Sequence, residues 1–139
     1  MDPEQVDIVV DTWREAGNNP YRLRVAISDR LPGTPVERGR RISWIVDAVT
    51  SLTPIISRPS SFSDATGELI RRRRPVSMSE LGVDQVALLG ALDEIVGPLT
   101  VDERRAWDLA LKLFEETIAS LCLDPFHAGP VDTDESVAS

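Results

Sequence analysis

Histidine and cysteine occur once each in this 139-residue chain, as His127 and Cys122. One cysteine excludes an internal disulfide, and one histidine excludes the usual zinc patterns. A serine or cysteine nucleophile would want a histidine base, and the single histidine is badly placed for that role. Glycine-rich phosphate loops are also missing, so the chain is expected not to be an enzyme. The longest apolar stretches fall well short of the roughly 20 residues that span a bilayer. The opening residues 1–5 are acidic and polar, which predicts no secretory leader and a cytoplasmic location. No segment alternates with period two for long enough to argue a strand, and there is no internal repeat.

The residues that are present describe one helical domain. The length suits a single domain able to bury roughly 68% of its unfolded surface. A composition of 42% hydrophobic and 27% charged residues is ordinary for a globular protein. The formal charge of −8 disfavours nonspecific contact with nucleic acid. Neither a nucleic-acid nor a membrane partner is expected.

Start signals recur along the chain. Asp2, Pro3 and Gln5 form a capping box with proline at the first helical position, and Val6, Val9, Val10 and Trp13 follow at helical spacing. Asn19-Pro20 opens a second helix through about Leu31, carrying Leu23, Ala26 and Ile27. Thr34-Pro35 opens a third, with Ile42, Ile45, Val49, Leu52 and Ile56 as its stripe and Trp44 and Ala48 beside it. Pro54 should end or kink it. Residues 58–61 read as a connection, and residues 62–72 as a fourth helix weakened by Gly67. Residues 77–81 read as a turn. A fifth helix is expected over residues 83–96, with Val86, Leu89, Leu92 and Val96 inward. Thr100 and Glu103 form the capping box of a sixth, which carries Trp107, Ala110, Leu111, Phe114, Ile118 and Leu121 to about Leu123. The expected class is therefore all-α, about six helices over residues 1–123. Residues 124–139 are small, polar and acidic, and read as a disordered tail.

Several runs resemble a bacterial globin of the flavohaemoglobin type. Residues 3–13 (PEQVDIVVDTW) resemble the first globin helix. Residues 88–95 (LLGALDEI) resemble the penultimate one. Residues 99–114 (LTVDERRAWDLALKLF), with the pair Ala106-Trp107, are similar to the last. The resemblance implies a globin-like bundle over residues 3–121. A haem globin holds its iron through a histidine near the end of the helix before the penultimate one. Residues 69–76 (LIRRRRPV) contain no histidine, cysteine, methionine or tyrosine there, and arginine is no useful iron ligand. The short link at residues 31–38 (LPGTPVER) lacks the phenylalanine that packs on a porphyrin. The third helix lacks a histidine, glutamine or tyrosine at the position facing the iron's free side. The resemblance thus points to haem-free globin domains of bacterial stress and sporulation signalling, which serve as sensory or docking modules.

Three groups of residues remain as candidates. Ile42, Trp44, Ile45, Val49, Leu69 and Leu89 are the expected lining of the vacated pocket, with core packing the default for Trp13, Trp44 and Trp107. Arg71, Arg72, Arg73 and Arg74 form the candidate basic docking patch, although the helix dipole alone favours cations at such a C-terminus. Arg38, Arg40 and Arg41 add charge at the start of the third helix. His127 reads as a surface residue, Cys122 as a half-buried inert thiol, and Glu115 and Glu116 as a solvated face. The expected function is a haem-free regulatory or binding module without a cofactor. Its candidate partners are a fatty acid in the cavity, an acidic protein, or a second copy paired through the last two helices. The alternative is a haem protein binding oxygen or nitric oxide through unusual ligation.

Overall fold

A computed structural model describes residues 1–72 and 78–123. The described residues form six α-helices and no strand: α1 (Pro3–Ala16), α2 (Pro20–Ser28), α3 (Pro35–Leu52), α4 (Pro59–Arg72), α5 (Met78–Val96) and α6 (Val101–Leu123). The class is all-α, as the spacing of apolar residues predicts. None of these helices is long and apolar enough to cross a membrane.

The caps form where the sequence places them. Asp2 and Gln5 exchange side-chain and backbone hydrogen bonds at 2.9 and 3.1 Å. Thr34 and Glu37 do the same at 3.2 and 2.8 Å, and so do Thr100 and Glu103 at 3.1 and 2.8 Å. Each pair satisfies donors that a helix start leaves open. Gly33 and Gly97 take φ of 103° and 98°, a region that L side chains rarely enter, and they turn the chain into α3 and towards α6. Asp93 clips the second turn by accepting from the Leu99 N–H at 3.1 Å and the Arg104 guanidinium at 2.9 Å.

Three boundaries and one helical phase depart from the sequence reading. Helix α2 stops at Ser28, so Leu31 is buried from the following turn. At Pro54 the expectation holds: α3 stops at Leu52 and a single 3-10 turn, Thr53–Ile55, follows. Residues 59–61 are not a connection, because Pro59 opens α4 at a position where its missing N–H costs nothing. Helix α5 starts at Met78, so most of the expected turn is helical; Ser77 lies outside the described residues. Within α5, Val86 is 73% exposed, and the buried face is Leu81, Asp84, Ala87, Leu88, Ala91 and Leu92. Leu89 and Val96 are only partly buried, which leaves Leu92 as the one expected inward residue fully in the core. The helix is apolar nearly all round, so periodicity alone did not fix its phase. Helix α2 is the most extensive partner of α5, and Ala87 and Ala91 lie on the buried face.

The core joins all six helices. Helix α1 lies against α6, and α4 against both α3 and α6. Trp13 and Trp107 meet with ring centroids 6.3 Å apart. The Trp13 indole N–H donates to Thr50 Oγ1 at 3.2 Å, linking α1 to α3. Arg30 folds back over Gly90, donating to the Ala26 carbonyl at 2.8 Å and to Glu94 at 2.9 Å. A Cβ at position 90 would lie 2.5 Å from the Arg30 Nε. These contacts fix the position of α3, which carries the candidate site.

Candidate functional site

Helix α3 presents two working faces. Its inner face, with Ile45, Ala48, Val49 and Leu52, borders a small cavity of about 40 Å³. Leu81, Leu88, Trp107, Ala110, Leu111 and Phe114 close the cavity from α5 and α6, and its walls are almost wholly apolar. For scale, a cavity of about 150 Å³ holds one benzene. A space of this size is therefore far too small for a porphyrin or a long alkyl chain as it stands.

The outer face of α3 runs through Val36, Gly39, Arg40, Ser43, Trp44 and Asp47, spaced three and four residues apart. With Leu69 and Arg72 of α4 it forms an open groove of about 490 Å³. Arg40 and Arg72 make no ion pair among the described residues. Asp47 lies seven residues beyond Arg40, about 10 Å along the helix. Above Gly39 the groove is open, and a Cβ there would meet nothing within 4 Å.

Trp44 belongs to both walls. It is 7% exposed, and its indole N–H reaches the Leu69 carbonyl at 3.4 Å, beyond the usual range of a strong bond. Its ring lies 5.8 Å from that of Phe114. The Trp44 indole is therefore the partition between cavity and groove. Trp107, also on the cavity wall, has a buried Nε1 with no hydrogen-bond partner. An unsatisfied buried donor of this kind costs roughly 1–3 kcal/mol.

Neighbouring arginines take different roles. Arg38 donates to Ser28 Oγ at 3.2 Å and to the Gly33 carbonyl, tying the start of α3 to the end of α2. Arg40 faces the groove. Arg41 is buried and donates through Nε, at 2.9 Å, and through Nη2 to one Asp84 carboxylate oxygen. On α4, Arg71 pairs with Glu68 at 2.7 Å, and this bond and the adjacent charge hold the Glu68 carboxyl below its ordinary pKa. Arg72 faces the groove. Arg73 and Arg74 lie outside the described residues, as does His127, and nothing of the Cys122 side chain is described.

Of the expected pocket residues, Trp44, Ile45 and Val49 line the cavity, and Trp44 and Leu69 line the groove. Ile42 is buried in the core but belongs to neither lining, and Leu89 packs on the edge of the core. Sequence reasoning missed the Arg40–Arg72 juxtaposition and the burial of Arg41. The only signal for the latter was its place one residue from Ile42 on the apolar stripe. No group of three or more histidine, cysteine, aspartate or glutamate residues able to hold a metal occurs among the described residues. No protein-family model, curated protein or solved structure matches this chain.

Proposed function

We propose that the chain is a haem-free, globin-like regulatory or binding module, and that it binds an apolar ligand carrying a carboxylate at the α3/α4 groove. One observation carries this reading: Arg40 and Arg72, which make no ion pair among the described residues, line a groove that shares the Trp44 wall with an apolar cavity. Arginine suits a carboxylate because its planar fork can donate two parallel bonds. The small cavity volume and the ligand-free sequence at residues 69–72 support the haem-free part of the reading.

Calorimetric titration with dodecanoate and with dodecanol tests it. The carboxylate should bind, and the alcohol should bind more weakly. Exposed pairs contribute at most about 1 kcal/mol each, so Arg40→Gln/Arg72→Gln should weaken dodecanoate roughly 3- to 30-fold. Equal binding of acid and alcohol, or no binding of either, would overturn the reading.

A further inference from the structure

We infer that the α3/α4 groove is also the docking site of this chain's own acidic stretch at residues 132–135. This stretch lies outside the described residues, and the inference rests on the groove's geometry rather than on the carboxylate-ligand reading. Three observations lead to it.

The first is charge. Residues 124–139 carry Asp124, Asp132, Asp134 and Glu135 and no lysine or arginine. Arg40 and Arg72 line one open groove and make no ion pair among the described residues.

The second is reach. Phe114 of α6 lies against Trp44, the groove's wall residue, at 5.8 Å. Nine further helical residues carry α6 to Leu123, a path of about 13.5 Å. Residues 124–132 can then span up to about 30 Å. In a straight line the acidic stretch is within reach of the groove. A second basic groove holds Arg105 and Lys112 beside the start of α6, with Asp108 in it as Asp47 is in the α3/α4 groove. Its Lys112 and Arg105 lie about 16 and 27 Å back along the helix from Leu123, so the test must separate the two grooves.

The third is strength. Exposed guanidinium–carboxylate pairs are individually weak, so a free acidic peptide would fill such a groove only at high concentration. A tethered segment faces the groove at an effective concentration on the order of millimolar. Covalent attachment thus favours this occupant over a free acidic partner. A docked stretch would compete with any anionic ligand for the same two arginines.

The test uses the full chain and no added ligand. Proton–nitrogen spectra of the wild type are compared with those of the Asp132→Asn/Asp134→Asn/Glu135→Gln variant. The backbone signals of Gly39 and Ser43 and the Nε–H signals of Arg40 and Arg72 are expected to shift. Raising the salt to about 0.5 M, where the Debye length falls to roughly 4 Å, should reproduce those shifts in the wild type. In an Arg40→Gln/Arg72→Gln background the triple substitution should no longer move Gly39 or Ser43. Shifts confined to the neighbours of residues 132–135, or centred on Arg105 and Lys112, would overturn the inference. Groove shifts that grow with protein concentration would also overturn it, by assigning the contact to a second copy. Failure of dodecanoate to bind leaves this result untouched, so the two readings fail separately.

Discussion

Removing one partner of the Arg41–Asp84 pair should be among the most damaging single changes in this protein. The two side chains are 9% and 6% exposed and bind α3 to α5. An Asp84→Ala substitution leaves a guanidinium buried with its main counter-charge gone. Breaking a buried pair in this way typically costs about 3–5 kcal/mol. A folded domain of this size unfolds with an entropy of about 0.25–0.3 kcal/mol/K. The melting temperature should therefore fall by about 10–20 °C. Replacing both partners is a different experiment. Arg41→Met/Asp84→Leu removes both charges of the pair, and the leucine would extend into the 40 Å³ cavity that Asp84 borders. Such replacements are often neutral or stabilising. Urea denaturation followed by helical circular dichroism measures both variants, and an unchanged slope would confirm that only stability has moved. A cost below about 1 kcal/mol for Asp84→Ala, the level of an exposed pair, would refute the burial argument. A double variant as unstable as the single one would show that the pair stabilises the fold outright.

Three further outcomes follow from local geometry. Gly90→Ala gains about 1 kcal/mol of helix propensity but pushes the Arg30 side chain off Glu94. That pair is one-third to one-half exposed and so of comparable worth. The melting temperature should stay within about 2 °C, and a fall beyond about 8 °C would mean that Arg30 cannot yield. Glu37 accepts from the Thr34 N–H, and this bond, the Thr34 side chain and nearby arginines hold its carboxyl below 4.5. A depressed folded pKa means its contribution is present above the unfolded value and fades as pH falls through the folded one. A carbon-detected NMR titration of Glu37 should therefore show a midpoint below that of an ordinary glutamate, and Thr34→Ala, which keeps the N–H and removes the hydroxyl, should raise it only in part; a wild-type midpoint at the ordinary value would refute the cap argument. Adding haemin should give no sharp, saturable Soret band, and a band at one-to-one stoichiometry would favour the haem-binding alternative.

Much of the fold was legible because it rests on local rules. Capping boxes at Asp2, Thr34 and Thr100 mark three helix starts without any tertiary information. Gly33 and Gly97 mark two turns for the same reason. The failures occur where local signals run out. Pro59 follows Arg58, which offers no short polar cap, so proline at a helix start looked like a break. Helix α5 carries apolar residues on nearly every side, and a periodic stripe can then be drawn at several phases. Its packing against the other helices, α2 most of all, selects the observed phase, with Ala87 and Ala91 buried and Val86 in solvent.

The candidate site was less legible, because arginines close together in sequence have separate fates in space. Position along a helix sorts them at 100° per residue. Arg40 and Arg41 therefore diverge into groove and core, and Arg71 and Arg72 into a surface pair and the groove. The arginine run looked like a single docking patch, yet its contribution to the groove among the described residues is Arg72 alone, and its partner there is Arg40. That pairing depends on how α4 lies against α3, which neither helix encodes by itself. Trp44 shows the same limit. As a stripe residue it reads as core, and it is buried, but its place between a 40 Å³ cavity and an open groove follows from two packing contacts, with Leu69 and with Phe114. A groove lined by residues 40, 44, 69 and 72 is a product of helix packing, and the charge pattern along the chain does not by itself place Arg40 and Arg72 on one groove.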